Sequence, residues 1–281
     1  MKKLCLTAAI LMTAAASMAQ DHLPPVFGAD TALFRKDIMT RSYMTPKKIL
    51  WTSSATAVQN AELLLKPNTG QADIFGEGMC RLTNNGNDQA SLILDFGHEL
   101  HGGFKLVISS CSPLQTPQVR LRFGESVSET CTELNTTKSI AETGSKADVN
   151  LKANTATNDH AIRDMVLTVP FYGQMEVGST GYRFVRIDLL TPGQTINLKE
   201  ATAILRYRDI PYVGSFRCSD QRLNDIWMTG AYTVHLNMQE YIWDGVKRDR
   251  LVWLGDMHPE TTTISNVFGD NESFYASMDL A

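Results

Sequence analysis

The hydrophobic period of this chain changes once, near Gly214, and that change limits the folds open to it. Before it, apolar residues recur every second position in short runs: Leu92, Leu94 and Phe96; Val119, Leu121 and Phe123; Met165, Leu167 and Val169; Val185, Ile187 and Leu189. Each run has strand length, and period two places one set of side chains on one face of a sheet. Turn-forming residues separate the runs at Asn84-Asn85-Gly86-Asn87, Gly102-Gly103 and Thr191-Pro192-Gly193. No helical pattern lies between them, so the expectation is an antiparallel β-sandwich of jelly-roll type. After Gly214, Leu223, Ile226, Trp227, Gly230, Val234 and Met238 recur at three- and four-residue spacing. That is the stripe of one amphipathic helix, expected over 219–238 with Ser219 as its N-cap and Asp220 in its first turn. A loop from Tyr241 to His258 follows, then a second helix with Pro259 in its first turn. The reading is a mainly β chain that ends in the first helices of an α domain.

The opening residues read as an address. Lys2 and Lys3 precede an apolar run from Leu4 to Ala16, and Ser17-Met18-Ala19 is a small-x-small cleavage site. Residues 1–19 are therefore expected to be a signal peptide, with Gln20 first in the mature chain and a periplasmic or secreted location. Residues 20–48 are Pro-interrupted at Pro24-Pro25 and read as an extended leader. The sandwich is expected over 49–212 and the α domain over 213–281. Past the first twenty residues no apolar run is long enough to span a bilayer. Twenty-six Lys plus Arg stand against 30 Asp plus Glu, a net charge of −4 without a basic stripe, which argues against nucleic acid as a partner. Cys80, Cys111, Cys131 and Cys218 are widely spaced and fit no zinc pattern. They are expected to be buried free thiols, or to form at most one bridge.

Chemistry concentrates between Glu240 and Asp256. This segment carries four carboxylates, Glu240, Asp244, Asp249 and Asp256, three cations, Lys247, Arg248 and Arg250, and two of the four tryptophans, Trp243 and Trp253. It reads in two ways. One is a salt-bridged connection whose tryptophans belong to the core. The other is a carbohydrate site, where aromatic faces meet the apolar side of a pyranose and charged groups meet its hydroxyls. Hydrolysis would then need carboxyls in two environments, one holding a proton and one ionised.

From Trp243 to Asp256 the segment resembles the signature that opens the catalytic domain of bacterial α-L-rhamnosidases, glycoside hydrolase family 78. The helix from Leu223 to Glu240 is similar too, as are Asp95-Phe96-Gly97, Arg122-Phe123-Gly124-Glu125-Ser126 and Gly181-Tyr182-Arg183-Phe184-Val185-Arg186. The resemblance runs from about residue 45 to residue 281. It implies a β-sandwich followed by an (α/α)6 barrel of six helical hairpins, and inverting hydrolysis of terminal α-L-rhamnose. Asp244 matches the opening Asp, expected to bind sugar hydroxyls. Arg248 and Asp249 match an Arg-Asp pair, and Trp253 and Asp256 match later positions; with Trp243 these are the substrate-binding candidates. The family's general-acid Glu follows the Arg-Asp pair, and Arg250 stands there instead, which makes Asp249 the candidate catalytic carboxyl. The family's general base lies beyond position 281. About sixty residues follow Ser219, room for roughly two helices of the twelve in a barrel. The resemblance therefore implies the truncated N-terminal portion of an exported enzyme of plant-glycan degradation, inactive alone, with a rhamnose-containing glycan as its partner.

The competing expectation is a non-catalytic carbohydrate-binding sandwich with a vestigial helical tail. Neither reading calls for a cofactor or metal. His98 and His101 are three apart and run into Gly102-Gly103, which suits a strand-end turn better than a helical zinc motif. Residues 128–160 are polar and read as a surface loop. Asn158, Asp159, His160 and Asp164 read as a polar turn. His235 is expected to be a packing residue.

Overall fold

The computed structural model describes residue 26 and residues 37–73, 78–131, 164–247, 249–269 and 272–281. The expected signal peptide, most of the 128–160 loop, Asn158, Asp159, His160 and Arg248 lie outside the described residues. Ile38–Ala281 is one unit by its internal contacts. Among the described residues its nine strands are β1 (Thr40–Met44), β2 (Lys48–Thr52), β3 (Val58–Gln59), β4 (Cys80–Asn84), β5 (Ser91–Ser112), β6 (Gln118–Gly124), β7 (Asp164–Thr168), β8 (Gly173–Leu189) and β9 (Gln194–Tyr207). The helices are α1 (Val127–Cys131), α2 (Gln221–Asn237), α3 (Leu254–Val267) and α4 (Glu272–Leu280).

All pairings among these strands are antiparallel, in the order β3-β4-β9-β5-β8-β6-β7, with β1 beside β9 and β2 beside β5. The fold is the expected β-sandwich, followed by helices. The pairings join all nine strands in one sheet, in which the long strands change neighbours along their length. The first part of β5 lies between β2 and the end of β8, with Asp95 facing Phe184. The second part lies between β9 and the start of β8, with Phe104 facing both Ala203 and Val177. Between Asp95 and Phe104 the register slips twice, and there the strand bends.

Glycine makes the bend. Gly97 has φ 86° and Gly102 φ 144°. A Cβ on Gly102 would stand 1.9 Å from the Ile204 carbonyl oxygen, and one on Gly103 would stand 2.9 Å from the carbonyl oxygens of Val177 and Gly178. The carboxylate of Asp95 fixes the entry, accepting from the Gly97 amide at 2.7 Å and from Arg183 through two bonds of 2.8 and 2.9 Å. Inside the bend Phe96, Phe104, Phe123 and Tyr182 pack edge to face at 5.0–6.2 Å. Such pairs add about 0.5–1.5 kcal/mol each beyond area burial. The buried Tyr182 hydroxyl donates to the Gly103 carbonyl at 2.5 Å.

Several local expectations change. The turn expected at His98–Gly103 is a bulged bend within one 22-residue strand. Thr40–Met44, placed in the leader, is a strand on the edge of β9. The cap of α2 is Asp220, whose carboxylate accepts from the Arg222 amide at 2.9 Å, and not Ser219. Helix α3 starts at Leu254, inside the expected loop, so Pro259 lies beyond its first turn. Among the described residues three helices rather than two follow Ser219. The four cysteines are free; Cys80 and Cys111 are buried as expected, whereas Cys131 is exposed and Cys218 half-buried. Among the described residues no helix is long and apolar enough to cross a membrane.

Replacing Gly102 by alanine should cost about 3 kcal/mol or more, since it adds a backbone clash to a φ that L-residues avoid. Urea denaturation of Gly102→Ala beside wild type measures this. A loss under about 1 kcal/mol would show that the bend does not depend on glycine.

Candidate functional site

The link from β9 to α2 ties the helices to the sandwich with polar contacts. Arg208, itself buried, donates to the carbonyls of Gln239 at 2.8 Å and Glu240 at 3.3 Å. His235 donates from Nε2 to the Arg208 carbonyl at 2.7 Å, and its Nδ1 accepts from the Tyr212 hydroxyl at 3.0 Å. It is the packing residue expected, and burial lowers its pKa. The Tyr232 hydroxyl reaches from α2 to the Glu99 carbonyl in the β5 bend at 2.6 Å. His98 and His101 go to different neighbours. The exposed His98 lies edge-on to Tyr232. His101 is wholly buried and donates from Nδ1 to the Val246 carbonyl at 3.2 Å, under the ring of Trp243 at 5.3 Å. Burial foremost, then the Arg250 charge, pushes its pKa down to about 4, so the ring stays neutral.

On this footing sits the segment singled out from sequence. Asp244 closes it, its amide donating to the Leu251 carbonyl at 3.0 Å and its carboxylate accepting from the Leu251 amide at 2.9 Å. At the tip Asp249 and Arg250 both take left-handed backbone, φ 52° and 55°. Two consecutive non-glycine residues in that region cost about 1–3 kcal/mol each and persist only where the surroundings impose them. Arg250 is pinned by a 3.0 Å bond to the Ser179 carbonyl and lies over Trp243 at 5.7 Å. Trp253 precedes α3 with about half its surface exposed, and Asp256 is exposed in the first turn of α3, where the helix dipole favours an anion.

The structure brings three of the predicted carboxyls within electrostatic reach of one another. Burial foremost raises the Asp244 pKa, and the charges of Asp249 and Asp256 raise it further, against the pull of the Leu251 amide. A fourth carboxyl was missed from sequence. Glu260 lies one turn after Asp256 on α3, buried, with Asn237 of α2 donating to it at 3.4 Å. Burial, then the charges of Asp256 and Asp244, pushes it up to about 7. Two acids at i and i+4 on one helix face repel, and that local conflict was the available signal. Glu240, by contrast, pairs with Arg206 at 3.3 Å, away from this group. Among the described residues no cluster of three ligating side chains could hold a metal.

Residues 211–279 match the family described as the bacterial alpha-L-rhamnosidase 6 hairpin glycosidase domain. Among solved structures, the rhamnosidase from Klebsiella oxytoca with rhamnose bound is similar over 87% of this chain and 44% of that one, at 18% identity and TM-score 0.62. The GH78 rhamnosidase of Bacillus sp. GL1 is similar over 80% of this chain and 20% of that one, at 20% identity and TM-score 0.55. This chain thus spans less than half the length of either. No curated protein matches it. The chain resembles the N-terminal portion of family 78 α-L-rhamnosidases, in the order of its fold as well as in the loop from Trp243 to Asp256.

Glu260 makes a pH prediction. Its folded pKa of about 7 stands above its ordinary 4.5, so the folded chain holds a proton that the unfolded chain releases. The contribution is fully present below about 4.5 and lost as pH rises through about 7. Glu260→Gln stays neutral, so it should match wild type near pH 4 and exceed it by about 3 kcal/mol at pH 8. Urea midpoints of both proteins at the two pH values provide the check.

Proposed function

We propose that this chain supplies part of an exported α-L-rhamnosidase-like glycoside hydrolase that acts on terminal rhamnose of plant glycans, in the periplasm or outside the cell. The observation that supports it most is the carboxyl group of the Asp244–Asp256 loop, carried by a segment similar to a six-hairpin glycosidase domain. Sugar hydroxyls need charged partners and the apolar face of a deoxy sugar needs an aromatic surface. Asp244, Arg248 and Asp256 serve as the first; Trp243 and Trp253 serve as the second.

Asp249 is the proposed acid. It sits at the strained tip of the loop, between Lys247 and the pinned Arg250, where a carboxyl can meet a glycosidic oxygen. Inversion requires the acid on that oxygen and a base activating water from the opposite face, with the carboxyls ~6.5–9.5 Å apart. Asp244 and Asp256 hold the sugar, and Glu260 backs them as a buried carboxyl that carries a proton near neutrality.

Rhamnose binding is the direct test. L-rhamnose should change the tryptophan fluorescence of the whole chain and protect amides of residues 243–256. Asp244→Asn and Trp253→Ala should each weaken binding about tenfold or more. Binding that survives both substitutions would place the sugar on the sandwich, in favour of a carbohydrate-binding module. In any longer form that turns over α-L-rhamnosides, Asp249→Asn should lower kcat by about 10²–10⁴-fold. The loss should shrink on aryl glycosides whose leaving groups need no proton. Full activity of that variant on unactivated glycosides removes Asp249 from the mechanism.

A further inference from the structure

Lys247 lies two residues before Asp249, and its side chain is almost wholly enclosed in an acidic cage. Its ammonium pairs with Glu129 of α1 and stands 3.6 Å from Glu125, which follows β6. The Glu125 amide donates to the other oxygen of Glu129 at 2.7 Å, so the two acids are held as a unit. The third member is Glu99, in the β5 bend, whose Oε1 flanks Gly181 beside Lys247 Cβ and whose carboxyl feels the charges of Glu125, Lys247 and Glu129. Three acids thus face one cation. Three carboxylates around one ammonium leave an excess of negative charge in a buried site, which favours Glu99 in its acid form. Burial foremost, then the charges of Glu125 and Glu129, pushes Glu99 up to about 8, against the pull of Lys247. From α2 the Tyr232 hydroxyl donates to the Glu99 main chain.

The room for this cage is made by Gly181 of β8. A Cβ there would meet Val246 Cγ2 at 2.6 Å, Glu99 Oε1 at 3.1 Å and Lys247 Cβ at 3.2 Å. On the far side of the tip Arg250 is tied to Ser179 of the same strand. The left-handed pair Asp249-Arg250 is therefore stretched between two anchors on the sandwich, and the Lys247 anchor is the one that depends on a proton.

We propose that Glu99 is a positioning residue for Asp249, acting through Glu125, Glu129 and Lys247 to hold the loop that carries the acid. This rests on the reading of Asp249 given above, but the hold on the loop can be tested without sugar. When Glu99 ionises, three anions surround one ammonium and the cage loosens. The hold is fully present below the ordinary carboxyl pKa of 4.5 and is lost as pH rises through about 8.

The test is amide hydrogen exchange on the whole chain at pH 6 to 9, corrected for the intrinsic pH dependence of exchange. The reporters are the amides of Trp243, Asp244 and Leu251, whose bonds to Asn237 and across the loop register its closure. In wild type their protection should fall about tenfold between pH 6 and pH 9. Glu99→Gln keeps a neutral partner for Glu125, so its protection should stay level over that range. Glu99→Ala should be poorly protected throughout, while core amides of β5 and β8 stay protected. A Glu99→Gln protein that loses protection in parallel with wild type overturns the inference, whatever Glu99→Ala does. L-rhamnose titrations at pH 6 and 9 separate the two proposals. Loop protection that follows Glu99 without any rhamnose binding refutes the functional reading and leaves the positioning role standing.

Discussion

A strand that exchanges one neighbour for another along its length must bend, and the bend of β5 between its β2 and β9 pairings is the constraint on which the rest of this molecule depends. Bending interrupts the ladder and frees backbone groups that must find partners elsewhere. The Glu99 carbonyl finds the Tyr232 hydroxyl of α2, and the Gly103 carbonyl finds Tyr182. His101, turned inward at the same place, supports the backbone of Val246. The helical half therefore joins the sandwich through hydrogen bonds that the bend itself makes available. Gly97, Gly102 and Gly103 permit the approach, and Asp95 with Arg183 holds its entry.

The same arrangement explains how a polar, strained loop keeps a single shape. Polar segments have little apolar area to bury, so hydrophobic packing alone cannot specify them. Here the loop is specified by directional contacts at both ends and at its centre: Lys247 to the acids, Arg250 to Ser179, Asp244 to Leu251. These contacts fix Asp249 and Arg250 in backbone that isolated residues avoid. A site built this way gains accuracy from the rigid sheet below it. It also inherits the protonation state of the groups that hold it.

Carboxyl environments diverge across a short distance. Asp256 is exposed at a helix start, Asp244 is half-buried and bonded to an amide, and Glu260 is buried and feels the charge of both. Graded burial of neighbouring acids separates groups that hold a proton from groups that lose it. That separation is the chemical property that a glycosidase-like site needs, and it arises from the packing of α3 against the end of α2.

The sequence by itself determined the order of the architecture, because period two and period 3.6 survive in composition wherever one face of an element is buried. It also marked the loop from Trp243 to Asp256, since charged and aromatic residues at that density are readable without coordinates. Cap choice was less legible: Ser219 and Asp220 are both good caps, and only the backbone shows that Asp220 accepts the Arg222 amide. The His98–Gly103 stretch read as a turn because glycine pairs end strands more often than they bend them. Only the tertiary structure decided that the strand continues, that Glu99, Glu125 and Glu129 gather around Lys247, and that a buried Glu260 feels the charges of Asp244 and Asp256. Those groups come from segments up to 148 residues apart, from Glu99 to Lys247. Local pattern records which face of an element is buried, but not which distant charge that face will meet.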